Sequence, residues 1–470
     1  WPSTSGWLAK PHIGVLESQQ RDQGAGHFSS AVIEALSSRE DWRVTTIRQM
    51  AHIVTAMLAI TGRVTMLGLS RWAGKGGSYR TVQRFYNTVL PWPLLFWEFF
   101  RTQLYQAADV YLLVGDECVT PKAGKCTHGL DQFFSSLYGK PIPGVAFFTL
   151  GLVNTRARRA YPLQVEQLQA RSSCKGKPIK PMTTAPRPVG RPKGSQNRDK
   201  TQVTLTPELQ LIQNMVRKQG LLINGLFALT YLVLDGQFGN HNALAMARQC
   251  GLHLLSKLRY DAALYLPYTG PYAGRGPHRK YGERLDYAQL PAAYRKARVI
   301  EDNIQTDTYQ MQVWHESFPT LLNVVILVKT NLKTGAQAHV ILFSSDLTLH
   351  YEKLVDYYSL RFQIEFNFRD AKQYWGLDDF MNVQPTPVTN AANLALFMVN
   401  VAQWLLLDLH AQQPRASVLD LKAWFRGRKY VTETLKFLPE MPEPVLLARI
   451  YARITALGCI HQPEPVLDSP

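Results

Sequence analysis

The sequence predicts a mixed α/β fold with helical regions at both ends. Apolar residues recur at helical spacing between residues 41 and 108 and again after residue 346. Short apolar runs typical of buried strands occupy the middle, from residue 110 to residue 345. A chain of 470 residues, of which 46% are hydrophobic, is long enough for two or three domains and a large core.

The N-terminal helical region resembles a helix-turn-helix. Two predicted helices precede a Gly-rich turn at residues 74–77, and Ser78 is a suitable N-cap for a third helix. That helix would bury one apolar face, made of Val82, Phe85 and Tyr86. Its opposite face carries Arg80 and Arg84, which suit contacts with DNA. A plain helical bundle with a solvated basic face has the same periodicity, so both interpretations stay open.

Two predicted strands each end in an acid. Residues 110–114 lead into Asp116, and residues 227–234 lead into Asp235. Each acid also has a simpler explanation, because Asp is common in turns at strand ends. Further strands are predicted at 144–153, 160–165, 252–258, 324–328 and 339–343.

The charge of the chain indicates a polyanionic partner. The net charge is +17, which favours nucleic acid. Residues 155–200 hold twelve Lys or Arg and two acids, a net of +10 that leaves +7 for the rest. Arg191 and Lys193 lie there in a Gly-Arg-Pro-Lys-Gly sequence that resembles an AT-hook, a minor-groove binder. The alternative is a basic loop that binds phosphates without sequence preference.

Cysteine usage and hydropathy predict a cytoplasmic protein without a membrane partner. The five cysteines are scattered and form no Cys-x-x-Cys pair, so neither a disulfide framework nor a structural zinc site is expected. The longest apolar run, residues 394–409, is interrupted by Asn400, Gln403 and Asp408. This run is therefore predicted to be a buried core helix and not a membrane span.

The most informative stretch is residues 358–372, predicted as one helix. Four of its residues fall within an arc of about 60° on one face, and they are Tyr358, Arg361, Glu365 and Lys372. A carboxylate on this face could hold a metal ion while its neighbours bind phosphate. The simpler interpretation is a surface helix with Arg–Glu and Glu–Lys ion pairs at helical spacing.

The spacing of these four residues is similar to the Y-R-E-K signature of DDE transposases of the insertion-sequence-4 type. The order of predicted elements also describes a ribonuclease-H-like core with a β-rich insertion. In that fold three carboxylates meet, and the candidates for catalysis and metal binding are Asp116, Asp235 and Glu365. By position, the resemblance implies that Tyr358, Arg361 and Lys372 hold phosphates near the cut.

The resemblance implies cut-and-paste transposition in a bacterial, nucleoid-associated protein. Its partners would be the inverted-repeat ends of a transposon and target DNA, bound by a homodimer. Phosphodiester transfer places negative charge on the attacking and leaving oxygens, which two Mg²⁺ ions can neutralise. Mg²⁺ prefers hard oxygen ligands, so three carboxylates suffice, and Mn²⁺ is a possible substitute.

The predicted organisation has a ribonuclease-H-like catalytic core between an α-helical DNA-binding domain and a helical C-terminal region. The predicted segments are a poorly patterned stretch at 1–40, the DNA-binding domain at 41–108, the first part of the core at 109–264 with the basic insert at 155–200, the β-rich insertion at 265–345, the second part of the core at 346–410, and the C-terminal region at 411–470.

Two other functions remain open from the sequence. One is a ribonuclease-H-like nuclease or resolvase that acts on branched DNA. The other is a transposase-derived DNA-binding protein without catalysis. The intact acids weigh against the second, because three carboxylates beside phosphates repel them unless a metal ion is present.

Overall fold

We describe the fold from a computed structural model of the chain. The structure describes residues 44–74, 76–135, 138–168, 203–272, 274 and 276–461. Arg191 and Lys193, most of the basic insert and residues 1–40 lie outside the described residues.

Four helices begin the described chain: α1 (Val44–Ala59), α2 (Met66–Trp72), α3 (Tyr79–Asn87) and α4 (Trp92–Phe99), the last continued by a π-helical turn, Phe100–Leu104. Thr65 caps α2 by accepting a hydrogen bond from the Gly68 amide. Ser78 caps α3 in the same way by accepting from the Thr81 amide, as the sequence predicts. The predicted apolar face of α3 is also confirmed, since Val82, Phe85 and Tyr86 are buried.

Twelve strands of the described residues form one sheet: β1 (Tyr111–Pro121), β2 (Asp131–Ser135), β3 (Lys140–Asn154), β4 (Arg159–Leu168), β5 (Tyr231–Val233), β6 (His253–Leu258), β7 (Leu264–Pro267), β8 (Tyr281–Arg284), β9 (Arg295–Glu301), β10 (Ile304–His315), β11 (Leu322–Asn331) and β12 (Gln337–Ser344). The order across the sheet is β4-β3-β1-β5-β6-β12-β11-β10-β7-β8, with β2 on β3 and β9 on β10. The strands of the predicted insertion therefore extend the same sheet, through the pairing of β12 with β6.

The central strands of the sheet run in one direction. β1 pairs with β5 and β5 with β6 in parallel, whereas the other strand pairs are antiparallel. The carboxyl ends of β1, β5 and β6 therefore face the same edge of the sheet. Loops at such an edge are where ligands bind in open α/β sheets.

The two acid-bearing strands differ from their predicted lengths. β1 continues past residue 114 to Pro121, so Asp116 lies within the strand and not at its end. The cause is tertiary, because β3 continues alongside and pairs Asp116 with Thr149 and Pro121 with Gly144. β5 is shorter than predicted, and Asp235 follows its end by two residues.

Seven further helices follow the first four strands: α5 (Pro207–Ile223), α6 (His241–Gln249), α7 (Tyr351–Leu360), α8 (Gln363–Tyr374), α9 (Pro385–Gln412), α10 (Val418–Leu435) and α11 (Pro444–Ala456). The prediction of one continuous helix over 358–372 is wrong, because α7 ends before Arg361 and α8 begins after Phe362. Amides there bond to carbonyls three residues earlier, as in Glu365 to Phe362. Neither Gly nor Pro lies at the break, so the local sequence gives no signal for it.

Helix α9 is long and apolar enough to cross a membrane by length and composition alone. In the fold it lies against β4 and α8, and side chains such as Leu394, Phe397 and Met398 are fully buried. Its buried Asn400 donates a hydrogen bond to the Pro162 carbonyl of β4. This packing is that of a core helix.

Candidate active site

The guanidinium of Arg361 contacts Asp116 and Glu365, and Asp235 lies within electrostatic range of it. Asp116 lies on β1, Asp235 follows β5, and Glu365 lies in the first turn of α8. Arg361 lies at the break between α7 and α8, where its backbone stays in the right-handed helical region. Its side chain bonds to Asp116, 245 residues earlier, and to Glu365, four residues later.

The guanidinium of Arg361 pairs with two of these acids. Its Nη1 lies 2.5 Å from Oδ2 of Asp116, and its Nη2 lies 3.0 Å from Oε1 of Glu365. The Arg361 and Asp116 side chains are only 15% and 14% exposed, whereas Glu365 is 39% exposed. Within the described structure the third nitrogen, Nε, is buried and has no hydrogen-bond partner. The pairing is therefore largely shielded from solvent, and shielding strengthens it.

The sequence beside Asp116 allows the core to close beneath it. A Cβ atom at Gly115 would lie 2.6 Å from Cζ of Phe148 and 3.0 Å from Cδ2 of Leu234. Only Gly therefore fits between these two buried side chains. Oδ1 of Asp116 accepts a hydrogen bond of 2.8 Å from the Glu117 amide, which fixes the orientation of the carboxylate.

Asp235 is a turn residue, as one of the two interpretations from the sequence has it, and it lies near the other candidate acids. Its Oδ1 accepts a hydrogen bond from the Gln237 amide and so caps the short 3₁₀ turn Gly236–Phe238. Its backbone carbonyl accepts a hydrogen bond of 2.6 Å from Ser256 of β6. A turn residue anchored in this way is held at the edge of the sheet, within electrostatic range of Asp116 and Arg361.

The pKa values report how strongly these groups interact. The pKa of Asp116 is raised to about 6, mainly by burial and also by Asp235 and Glu365, against the opposing effects of Arg361 and the Glu117 amide. Burial also raises the pKa of Asp235, and Arg361 again opposes the shift. Burial and mutual repulsion thus disfavour the charged forms of the acids, and one guanidinium compensates them in part.

The acids fit a divalent cation by charge and by ligand type. Three ionised carboxylates around one guanidinium carry a formal charge of −2, and carboxylate oxygens are the hard ligands that Mg²⁺ prefers. Across the described ranges, no group of three or more His, Cys, Asp or Glu side chains is arranged to hold a metal ion. Arg361 separates Asp116 from Glu365, so metal binding by both requires that Arg361 change partner.

The other two signature residues take different positions. Tyr358 borders the site, and burial raises the pKa of its phenol against the opposing effect of the nearby Arg361. Lys372 donates a hydrogen bond of 2.7 Å to the Val119 carbonyl of β1, three residues beyond Asp116. Lys372 therefore fastens α8 to the strand that carries Asp116.

A cleft of about 490 Å³ opens beside the acids and shares Asp235, Tyr358 and Arg361 with them. Its far wall includes three exposed residues at the carboxyl end of β6, which are Lys257, Arg259 and Tyr260. Two cations and an aromatic ring beside carboxylates suit a nucleic acid strand. These residues are not predicted from the sequence as part of the site, although a basic–aromatic cluster directly after a predicted strand is a usable signal.

The exposed face of α3 is basic, as predicted. Arg80 and Arg84 are exposed, and Gln83 and Asn87 extend the polar surface between and beside them. The two faces of α3 differ sharply in polarity, because the face opposite these residues is buried against the core. This face is therefore available to a partner.

A comparison with protein families identifies the chain. The family described as DDE superfamily endonuclease matches residues 36–319, which is more than half of the sequence. The chain belongs to this family. No curated protein matches the chain.

Membership in the DDE superfamily endonucleases gives the general activity. The protein is a nuclease that acts on DNA, and enzymes of this kind generally use divalent metal ions. The matched residues contain Asp116 and Asp235 and end before Glu365 and the rest of the signature. The third carboxylate therefore rests on the geometry around Arg361 and not on the family match.

Proposed function

We propose that this DDE superfamily endonuclease is a transposase of the insertion-sequence-4 type. It cuts the inverted-repeat ends of a transposon and joins them to target DNA by cut-and-paste transposition, as a homodimer associated with the bacterial nucleoid. The observation that carries the proposal is the pairing of Asp116 and Glu365 with Arg361, with Asp235 within electrostatic range of Asp116 and Arg361. The sheet order β4-β3-β1-β5-β6 supports a ribonuclease-H-like core.

Asp116, Asp235 and Glu365 would hold the metal ions. When bound, two Mg²⁺ ions neutralise charge on the attacking and leaving oxygens and lower the pKa of the attacking group. Mn²⁺ would substitute, because carboxylates also suit it.

Arg361 and Tyr358 would bind the phosphate at the cut. The Arg361 guanidinium already lies among the acids, and a guanidinium binds two phosphate oxygens as readily as two carboxylate oxygens. Lys257 in the adjoining cleft would contact the next phosphate of the same strand. Lys372 would act indirectly, through its bond to the Val119 carbonyl.

The exposed face of α3 would bind the transposon end. Arg80 and Arg84 are presented on a helix whose other face is buried, which is the arrangement of a recognition helix. Arg191 and Lys193 of the basic insert would add contacts to phosphates or to the minor groove.

A cleavage assay tests the proposal. The protein is incubated with a plasmid that carries the DNA flanking its own gene, with Mg²⁺ or with EDTA, and breaks are mapped to the nucleotide. We expect Mg²⁺-dependent breaks at a pair of inverted ends, and none with Asp116→Ala. Asp356→Asn is the matched control, because Asp356 lies on α7 near the site but pairs with Arg158 on the surface.

The same assay separates the alternatives. Cutting only at branched junctions would replace the transposase with a resolvase. Binding to the ends without cutting, with Mg²⁺ and Mn²⁺ both tried, would favour a transposase-derived DNA-binding protein.

A further inference from the structure

The end of α3 is held by a side chain from the other half of the protein. Nδ2 of Asn390, in α9, donates hydrogen bonds to the carbonyls of Tyr86 and Thr88, both at 2.8 Å, and a longer one of 3.4 Å to Phe85. Its Oδ1 accepts a hydrogen bond of 2.7 Å from the Trp92 indole. The last carbonyls of a helix lack partners within it, so Asn390 acts as a remote cap for α3.

The other N-terminal helices are fastened in the same way. At the end of α1, the Met57 carbonyl accepts a hydrogen bond from Lys422 of α10. Ahead of α2, Oδ2 of Asp379 accepts a hydrogen bond of 2.8 Å from the Val64 amide. Side chains from residues 379–422 thus hold the N-terminal helices to the rest of the fold at three separate points.

A continuous path of packed elements leads from α3 to the strand that carries Asp116. Asn390 lies on α9, and α9 packs against β4. β4 pairs with β3, and β3 pairs with β1, where Thr149 lies opposite Asp116. Each step is a packed helix or a strand pairing. The position of α3 relative to Asp116 is therefore fixed by the fold and not by a linker.

We infer that Asn390 is a positioning residue that sets the distance between the DNA sequence bound by α3 and the phosphodiester that is cut. This inference rests on the proposed function. It adds a structural reason why the cut falls at a constant distance from the bound DNA sequence. Asn390 is 1% exposed, and its amide is a three-way junction of α3, α4 and α9. Removing it frees the end of α3 while the acids keep their positions.

Asn400 provides a matched control for ordinary core stability. It is the same residue type on the same helix, is fully buried, and also donates to a backbone carbonyl. Its bond reaches β4 and not α3. Asn400→Ala therefore removes a comparable core interaction and leaves the remote cap of α3 intact.

The experiment maps cutting positions with wild type, Asn390→Ala and Asn400→Ala. Each protein is incubated with Mg²⁺ and an end-labelled duplex that carries the transposon end, and the cut position is read to the nucleotide. For Asn390→Ala we expect cutting at the wild-type position to fall about 10- to 100-fold, with new cuts at neighbouring phosphodiesters, because small misplacements have effects of this size. Asn400→Ala should lower the yield at most and keep the position.

The inference is overturned if Asn390→Ala cuts at the wild-type position with wild-type precision, or if Asn400→Ala spreads the cuts equally. Should Asn390→Ala fail to fold, Asn390→Leu takes its place, because it fills nearly the same space and removes the same hydrogen bonds. Asn390→Leu with unchanged cutting positions would then overturn the inference. A wild-type protein that cuts no end removes the proposed function and this inference with it, a result distinct from a variant that cuts accurately.

Discussion

The charged side chains of the candidate active site pair with one another, whereas those on the exposed face of α3 do not. At the active site, a shielded guanidinium pairs with two carboxylates, and a third is within electrostatic range. On α3, Arg80 and Arg84 project into solvent, and among the described residues neither makes an ion pair. One region compensates its charges internally, and the other leaves them for a partner.

This difference determines which of the two regions can bind a polyanion without a rearrangement within the protein. Under the proposed function, the face of α3 attracts DNA at once, because long-range attraction needs no rearrangement within the protein. The acids would first exchange Arg361 for cations, and a phosphate would be the natural new partner of Arg361. The comparison therefore predicts that DNA binding precedes and favours completion of the active site.

The largest effect is expected from Glu365→Gln, which would separate cutting from binding. Under the proposed function, the change removes the charge of one metal ligand without altering size, so cleavage should fall about 10²- to 10³-fold, as when a group that stabilises transition-state charge is lost. Binding to the transposon end, measured by gel shift, should stay within about twofold because α3 is untouched. Retained cleavage would move the third carboxylate to Asp370, in the next turn of α8.

Arg361→Met tests whether the Arg361 guanidinium competes with metal ions for the carboxylates. The change leaves three carboxylates without their counter-ion, so Mn²⁺ should bind about tenfold more tightly in the absence of DNA. Calorimetric titration with Mn²⁺ measures this, and cleavage should fall because the phosphate loses its ligand. Arg369→Met is the matched control, since this guanidinium on α8 is exposed and pairs with Asp370. Unchanged or weaker Mn²⁺ binding in Arg361→Met would show that Arg361 does not compete with the metal.

The double change Arg80→Ala and Arg84→Ala tests whether the exposed basic face of α3 contacts DNA. Two lost phosphate contacts should lower affinity for the end and reduce the slope of log affinity against log salt by about two. Binding isotherms at several salt concentrations measure both quantities. Lys218→Ala on α5 is the control for general loss of positive charge. An unchanged slope in the double variant would exclude α3 from the DNA contacts.

A smaller effect, on stability, is expected at Asp420 in the C-terminal region. This buried carboxylate caps α10 through Ser417 and also accepts hydrogen bonds from the Ile460 and His461 amides. Burial raises its pKa, but hydrogen bonds from His461 and Ser417 outweigh burial and hold the pKa well below its ordinary value. Asp420→Asn should lower the free energy of unfolding by about 1–2 kcal/mol at neutral pH.

The pH dependence of that loss has a definite sign. A carboxylate whose pKa is lowered by folding contributes stability above its unfolded pKa of about 3.9, and the contribution is lost as the pH falls below that value. Urea unfolding of wild type and Asp420→Asn should therefore give a difference that is constant from neutral pH to about pH 5 and shrinks on further acidification. A difference that grows in acid would contradict the assignment.

Local signals made the helical region predictable. Ser78, the buried residues Val82 and Phe85, and the exposed Arg80 follow from capping and a 3.6-residue period, which the neighbouring sequence determines. The two strands that lead to Asp116 and Asp235 could also be predicted, because they begin as apolar runs. The full length of β1 could not be predicted, because its second half is a strand only where β3 pairs with it.

The features that depend on contacts between residues far apart in the chain could not be predicted from the sequence. The break at Arg361 accompanies a contact with Asp116, which is 245 residues away. The remote cap by Asn390 crosses 304 residues to Tyr86, and a buried Asn in an apolar helix predicts no particular partner. The carboxylates could be proposed as a set from their order along the chain, but their common partner could not.

The pairing of β12 with β6 has a consequence for synthesis on the ribosome. β6 ends at Leu258, yet the strand that covers its open edge begins at Gln337. The growing chain must therefore carry an unpaired strand edge while nearly eighty residues are added, and such edges invite aggregation. Glu365 emerges only after β12, so a nascent or truncated chain that stops before it lacks the third proposed carboxylate. Under the proposed function, the order of the sequence thus delays DNA cutting until most of the protein has been made.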